Sequence, residues 1–179
     1  MLIRTAQLID ANEIAKISVN GWRAAYTNII PEDYLANISY EDRLQKWCQV
    51  LEEIKAGDAS RIAFVAENNQ QQIVGYICGG KSREAAMSFD AELYAIYVDP
   101  EQKQNGIGSR LVEAFVKWLI GQGYHSMFCR VLEKNPARKF YEKLGGQLVS
   151  EKIAKAFNGK LLIEIAYAWP ELKLCINQN

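Results

Sequence analysis

The chain has no excess charge of either sign: 21 Lys and Arg stand against 21 Asp and Glu in 179 residues. It therefore lacks the bulk electrostatic attraction on which non-specific nucleic-acid binding and docking on anionic membranes depend. Histidine occurs once, at His125, with no Ser/Asp or Cys context that would suggest a nucleophilic triad. Cysteine is sparse and scattered. Cys48, Cys78, Cys129 and Cys175 form no CxxC pair and no Cys/His cluster, so neither a zinc site nor a thioredoxin-type redox pair is suggested. They read as free, buried thiols of a reducing compartment. No apolar run is long enough to span a bilayer. The opening MLIRTAQLIDANE lacks a basic segment followed by an apolar run and a cleavage site. These absences lead us to expect a cytoplasmic protein with no nucleic-acid or membrane partner and no metal. Repeats, low-complexity stretches and Pro/Ser-rich linkers are missing too, so one domain is expected over residues 1–179.

What is present is a hydrophobic fraction of 49%, enough for a sizeable core. Ile3 to Leu8 reads as a short strand. Asp10 and Glu13 then make a capping-box-like start to a helix carrying Ile14, Ile17, Gly21, Trp22 and Ala25, which ends near Tyr26 ahead of Pro31. Ser39 and Asp42 open a second helix with Leu44, Trp47, Cys48 and Leu51 on one stripe, closed by Gly57. Arg61 to Ala66 and Ile73 to Cys78 read as a hairpin, and Ala91 to Val98 as a third strand of this group. A long helix follows with Ile107, Leu111, Phe115, Trp118 and Leu119, then a strand from Met127 to Val131. A shorter helix begins at Asn135-Pro136, and strands at Gln147 to Lys152 and Leu161 to Ala168 flank an Asn158-Gly159 turn.

The richest segment is the strand Glu92 to Val98, Asp99-Pro100, and a glycine-bearing turn, Lys103-Gln104-Asn105-Gly106-Ile107-Gly108-Ser109, that opens the long helix. A helix start offers unpaired backbone N–H groups and the positive end of the helix dipole, which together suit a phosphate or pyrophosphate. A Rossmann fingerprint would need a third glycine where Leu111 stands, and a Walker A loop would need Lys-Ser/Thr where Ser109-Arg110 stand, so both fail. The turn instead resembles the [Gln/Arg]-x-x-Gly-x-[Gly/Ala] signature of the GNAT superfamily of N-acetyltransferases, with Lys103 at the position usually held by Gln or Arg. Downstream, Asn135-Pro-Ala-Arg-Lys-Phe-Tyr141-Glu-Lys-Leu-Gly145-Gly146 is similar to the second segment of that family. There Ala137 is displaced by one position and Gly146 replaces the usual phenylalanine. The two segments cover Ala91 to Gly146, and the rest agrees by element order.

The resemblance implies an α/β (or α+β) GNAT fold: a single mixed, largely antiparallel, twisted sheet with helices on both faces. It implies acetyl-CoA as co-substrate and direct transfer to an amine. Ile96, Tyr97 and Val98 would pair with pantetheine through their backbone, and Lys103, Gln104, Asn105, Gly106, Ile107, Gly108 and Ser109 would cradle the pyrophosphate. Asn135 would hydrogen-bond pantetheine or nearby backbone. Arg138 and Lys139 are placed to reach a phosphate. Tyr141 would lie near the thioester sulfur and protonate or hydrogen-bond the departing thiolate. Glu92 is the expected base, directly or through water, because an alkylammonium must lose a proton before it attacks. Strict alternation would put Glu92, Tyr94, Ile96 and Val98 on one face, opposite Leu93, Ala95 and Tyr97. Trp22, Tyr26, Tyr34 and Tyr94 are expected to line the acceptor pocket. The acceptor reads as a small-molecule amine, with a peptide or protein amine, or a non-catalytic acetyl-CoA sensor, as the alternatives. Homodimers are common among such proteins.

Overall fold

A computed structural model describes residues 1–102, 105–157 and 160–175. Its elements follow the expected order: β1 (Leu2–Thr5), α1 (Ala11–Tyr26), α2 (Glu32–Ala36), α3 (Tyr40–Lys55), β2 (Arg61–Glu67), β3 (Ile73–Lys81), β4 (Ala91–Val98), α4 (Ile107–Gly121), β5 (Met127–Leu132), α5 (Arg138–Lys143), β6 (Gln147–Phe157) and β7 (Lys160–Trp169). The short α2 was not anticipated; five residues give too little periodicity to read. The turn at Asn158-Gly159 lies outside the described residues.

Seven strands form one sheet in the order β1-β2-β3-β4-β5-β7-β6. Its neighbours pair antiparallel except β4 and β5, which run parallel. One face carries α4 and α5. Ile107, Leu111, Phe115 and Leu119, four residues apart on α4, are each no more than 2% exposed and pack on Ile77, Leu93 and Met127. Burying one such side chain contributes roughly 1.5–3 kcal/mol. The other face carries α1 and α3, whose Ile14, Ile17, Trp47 and Leu51 close over Val65, Tyr76 and Cys78. Cys78, Cys129 and Cys175 are buried free thiols, while Cys48 is half-buried on α3.

Two local expectations are corrected. Asp10 does not cap α1: its carboxylate turns back to accept from the Gln7 N–H at 2.7 Å and pairs with Arg4 at 2.7 and 2.8 Å. The capping box is thus one turn earlier, on the 3₁₀ turn Leu8–Asp10. Ser39 behaves as expected, its Oγ accepting from the Asp42 N–H at 3.0 Å.

The second correction concerns β4. The β3–β4 register jumps from Cys78↔Ala95 to Gly79↔Leu93, so Tyr94 sits in a bulge and alternation breaks there. Leu93, Ile96 and Val98 face the α4 layer, whereas Tyr94, Ala95 and Tyr97 face α1 and α3. Glu92 and Tyr94 therefore do not share a face with Ile96 and Val98. The glycine at the bulge has a steric reason: a Cβ on Gly79 would lie 2.3 Å from Phe115 Cζ and 2.6 Å from the Glu92 carbonyl oxygen.

Candidate active site

The parallel pairing of β4 with β5 covers only Ala91↔Met127, Glu92↔Phe128 and Leu93↔Cys129. Beyond it the strands part, while β3 continues to pair the other edge of β4 as far as Gly75↔Val98. The β5-side edge of β4 over Ile96 to Val98 is thus a strand edge without a strand, able to accept an extended ligand by β-addition. The gap opens into a cleft of about 1330 Å³.

At one end of the cleft stands the start of α4. Gly106 is its N-cap with φ +71°, a left-handed conformation that glycine adopts without the Cβ penalty. The first helical hydrogen bond is Arg110 N–H to Gly106 O at 3.1 Å, which leaves the N–H groups of Ile107, Gly108 and Ser109 directed out of the helix. Gly106, Ile107, Gly108 and Ser109 all line the cleft. Gly108 packs closely on α5, for a Cβ there would come within 3.1 Å of the Phe140 ring. The Ile107 side chain belongs to the core, 2% exposed, so only its backbone faces a ligand. Asn105 is exposed and donates to Gln102 O at 3.4 Å; Lys103 and Gln104 lie outside the described residues.

The opposite wall comes from the β5–α5 turn. Asn135 is 6% exposed, and its Oδ1 accepts from the Ala137 N–H at 2.9 Å, fixing the turn that launches α5. Tyr141 lines the cleft from α5, ringed by Phe140, Tyr167 and Trp169. Its hydroxyl has no hydrogen-bond partner among the described residues, and burial pushes its pKa well above 10, so it stays protonated. Gly145 (φ +76°) and Gly146 close α5 by donating to Glu142 O and Tyr141 O at 3.0 and 2.9 Å. Gly146 replaces a bulkier residue for a visible reason: a Cβ there would meet Trp169 at 2.8 Å. Lys139 lines the cleft, but Arg138 turns away to donate to Glu133 O and Tyr167 Oη at 3.0 and 3.1 Å.

The remaining lining lies on the α1/α3 side. Trp22 and Tyr26 meet with tilted rings, centroids 4.6 Å apart, on the last turns of α1, and Tyr94 and Tyr97 rise from β4. Gly21 lets α1 cross β4 closely, for a Cβ there would sit 2.3 Å from Tyr97 Cδ1. Burial raises the Tyr26 hydroxyl, and its interactions with Tyr97 and Asn135 partly offset this, joining the α1 wall to the β5–α5 turn. Burial pushes Tyr94 up to about 12, and its hydroxyl donates to Lys81 O at 2.5 Å. Tyr34 is not brought to the cleft; it lies on α2, 46% exposed.

Glu92 is 4% exposed and does not itself line the cleft. Arg83 clasps it, with Nε 3.0 Å from Oε2 and Nη2 2.5 Å from Oε1, and the Arg83 N–H donates at 3.2 Å. The same guanidinium lies over the Tyr94 ring at 3.8 Å, so Glu92 touches the cleft through Arg83. Arg83 was not foreseen. It lies outside both motifs, and its partner is set by the bulge rather than by spacing.

A mixed sheet splayed at its parallel pair, with a bare strand edge facing a helix start, is the architecture of a GNAT-type domain. The family model for the acetyltransferase (GNAT) family matches residues 22–146, and the chain belongs to that family of acyltransferases. It is 33% identical over 170 residues to the uncharacterized N-acetyltransferase YuaI of Bacillus subtilis, covering 95% of this chain and 93% of that one. PaiA N-acetyltransferase of Thermoplasma acidophilum, solved with coenzyme A, superimposes with a TM-score of 0.72 at 19% identity over 91% of this chain and 96% of that one. YncA of Salmonella typhimurium, solved with acetyl-CoA, gives 0.71 at 20% identity over 96% and 94%. The solved structures establish the fold.

Proposed function

We propose that the protein moves the acetyl group of acetyl-CoA directly onto the primary amine of a small molecule, both substrates being bound together. The observation that carries this reading is one cleft holding a bare β4 edge at Ile96 to Val98, the open N–H groups of Ile107 to Ser109 and the uncommitted hydroxyl of Tyr141. Acetyl-CoA supplies an activated acyl carbon and a thiolate leaving group. The β4 backbone would align its pantetheine arm, the α4 start and Lys139 would take its phosphates, and a β4 N–H would polarise the carbonyl. Asn135 acts by fixing the turn that positions Tyr141.

In the transfer a C–N bond forms as the C–S bond breaks; the amine gives up one proton and the sulfur gains one. Tyr141 donates its proton to the sulfur and regains one from solvent, into which the proton taken from the amine is released. Glu92 is the proposed acceptor of the amine proton, and it acts through water, because its carboxylate is held off the cleft by Arg83. Trp22, Tyr26, Tyr94 and Tyr97 line an aromatic space suited to a small acceptor.

The test is CoA release by the purified protein against amino acids, polyamines, aminoglycosides and short peptides, with acetyl-CoA titrated by calorimetry alongside. Turnover with small amines and a fall of about tenfold or more in kcat for Glu92→Gln are expected. Turnover confined to peptides would overturn the small-molecule acceptor, and absence of acetyl-CoA binding would overturn the whole reading.

A further inference from the structure

The acceptor half of the cleft is electrostatically one-sided. Its side chains from α3, β2 and the segment after β3 include Arg43, Lys46, Arg61 and Arg83, and among the described residues no carboxylate lines the cleft at all. In a chain whose charges balance overall, this segregation is local. Arg61 is matched by Glu53 and by Asp58 at 2.7 Å, and Arg83 by Glu92 at 2.5 Å. Arg43 and Lys46 are in no ion pair among the described residues; Arg43 lies 5.1 Å over the Trp22 ring.

Their placement follows from helical spacing. Arg43, Lys46, Trp47 and Val50 fall at i, i+3, i+4 and i+7 of α3, so one stripe carries them all to the cleft. The acidic residues of α3 that meet a cation serve Arg61 instead, from Glu53 near its end. Neither cation belongs to the α4 start or the α5 wall, where phosphates would sit. Two unmatched cations beside an aromatic wall repel a second ammonium, attract an anion, and lower the pKa of an amine held near them.

We infer that the acceptor is a small amine that also carries an anionic group, a carboxylate or a phosphonate, held by Arg43 and Lys46 while the amine points toward the β4 edge. This deepens the acetyltransferase reading and rests on it. A guanidinium over a ring and an ammonium at the rim suit an oxyanion, which can take one charged hydrogen bond from each. The same arrangement selects against polyamines and aminoglycosides.

The experiment measures kcat/KM at saturating acetyl-CoA for three acceptor series: amino acids and aminoalkyl phosphonates, their uncharged amides and esters, and diamines and polyamines. Acetyl-CoA affinity is measured by calorimetry in the same preparations. The anionic series is expected to exceed its uncharged counterparts by about tenfold or more, the carboxylate and phosphonate arms deciding which anion fits. Lys46 is exposed, so Lys46→Gln should fold and lower kcat/KM for the anionic acceptor about tenfold, and Lys46→Glu should lower it further, with acetyl-CoA affinity unchanged. Arg43→Gln should act likewise. Equal or better turnover of the uncharged or polyamine series, or none with the anionic series despite acetyl-CoA binding, overturns the inference and leaves the acetyltransferase reading standing. Loss of acetyl-CoA binding in the unmodified protein overturns that earlier reading.

Discussion

At the scale of single residues, the cleft is a set of groups held in one protonation state. Tyr141 illustrates this best. A thiolate with an intrinsic pKa near 8.5 leaves without absolute need of an acid, so a donor on the sulfur accelerates the step but is dispensable. Burial keeps the Tyr141 proton in place far above neutral pH, and among the described residues no competing hydrogen bond holds it. Tyr141→Phe is expected to lower kcat roughly 10- to 100-fold while acetyl-CoA affinity changes less than about threefold, as turnover and calorimetry would report. Because the hydroxyl does not titrate in the working range, removing it should not shift the pH at which activity rises. A shift of that limb on substitution would assign the rise to Tyr141 and contradict its role as a standing donor.

At the scale of elements, what could be read from the sequence divides by the kind of signal involved. The stripe Ile107, Leu111, Phe115, Leu119 predicts α4 because a helical face repeats, and the glycine turn before it predicts the bare N–H groups because only geometry at a helix start is needed. The bulge at Tyr94 was not legible. It lies opposite Gly79 on the neighbouring strand, where Phe115 and β4 leave no room for a Cβ, and it decides which side of the sheet Glu92 and Tyr94 serve. Arg83 was missed for the same reason, its partner Glu92 being set by packing between elements, and the cationic stripe of α3 because only the folded sheet shows that this helix face borders the cleft. Gly146 gives the element-scale test. A Cβ there would meet both Trp169 and the Tyr141 carbonyl oxygen, the latter at 2.9 Å, so Gly146→Ala must shift α5 or the ring. Overpacking of this kind costs about 1–3 kcal/mol. Chemical denaturation should report that loss, and kcat should fall with it, since α5 carries Tyr141.

At the scale of the molecule, the sheet joins two hydrophobic layers that cannot be separated without exposing one side of the same strands. Ala63, Val65 and Cys78 belong to the α1/α3 layer, while Ala66, Val74 and Ile77, on the same β2–β3 hairpin, belong to the α4 layer. Loss of either layer therefore strips the hairpin, and a single cooperative transition over the whole chain is expected. Several carboxylates that tie elements together set its acid limit. Burial alone would raise the Asp10 carboxyl, but Arg4 and the Gln7 N–H hold it below its ordinary value. Arg130 does the same for Glu84, and the His125 and Ser126 N–H groups for Asp90, which staples the start of β4 to the start of β5. Groups with depressed folded values add stability that is complete above their unfolded pKa values, near 4, and drains as pH falls through the folded ones. The urea midpoint should accordingly be insensitive to these groups between about pH 5 and 8 and fall steeply below about pH 4. Tryptophan fluorescence and far-ultraviolet circular dichroism should trace the same curve at every pH. Two separated transitions at any pH would mean that the α1/α3 layer unfolds independently of α4, and that the hairpin does not couple them.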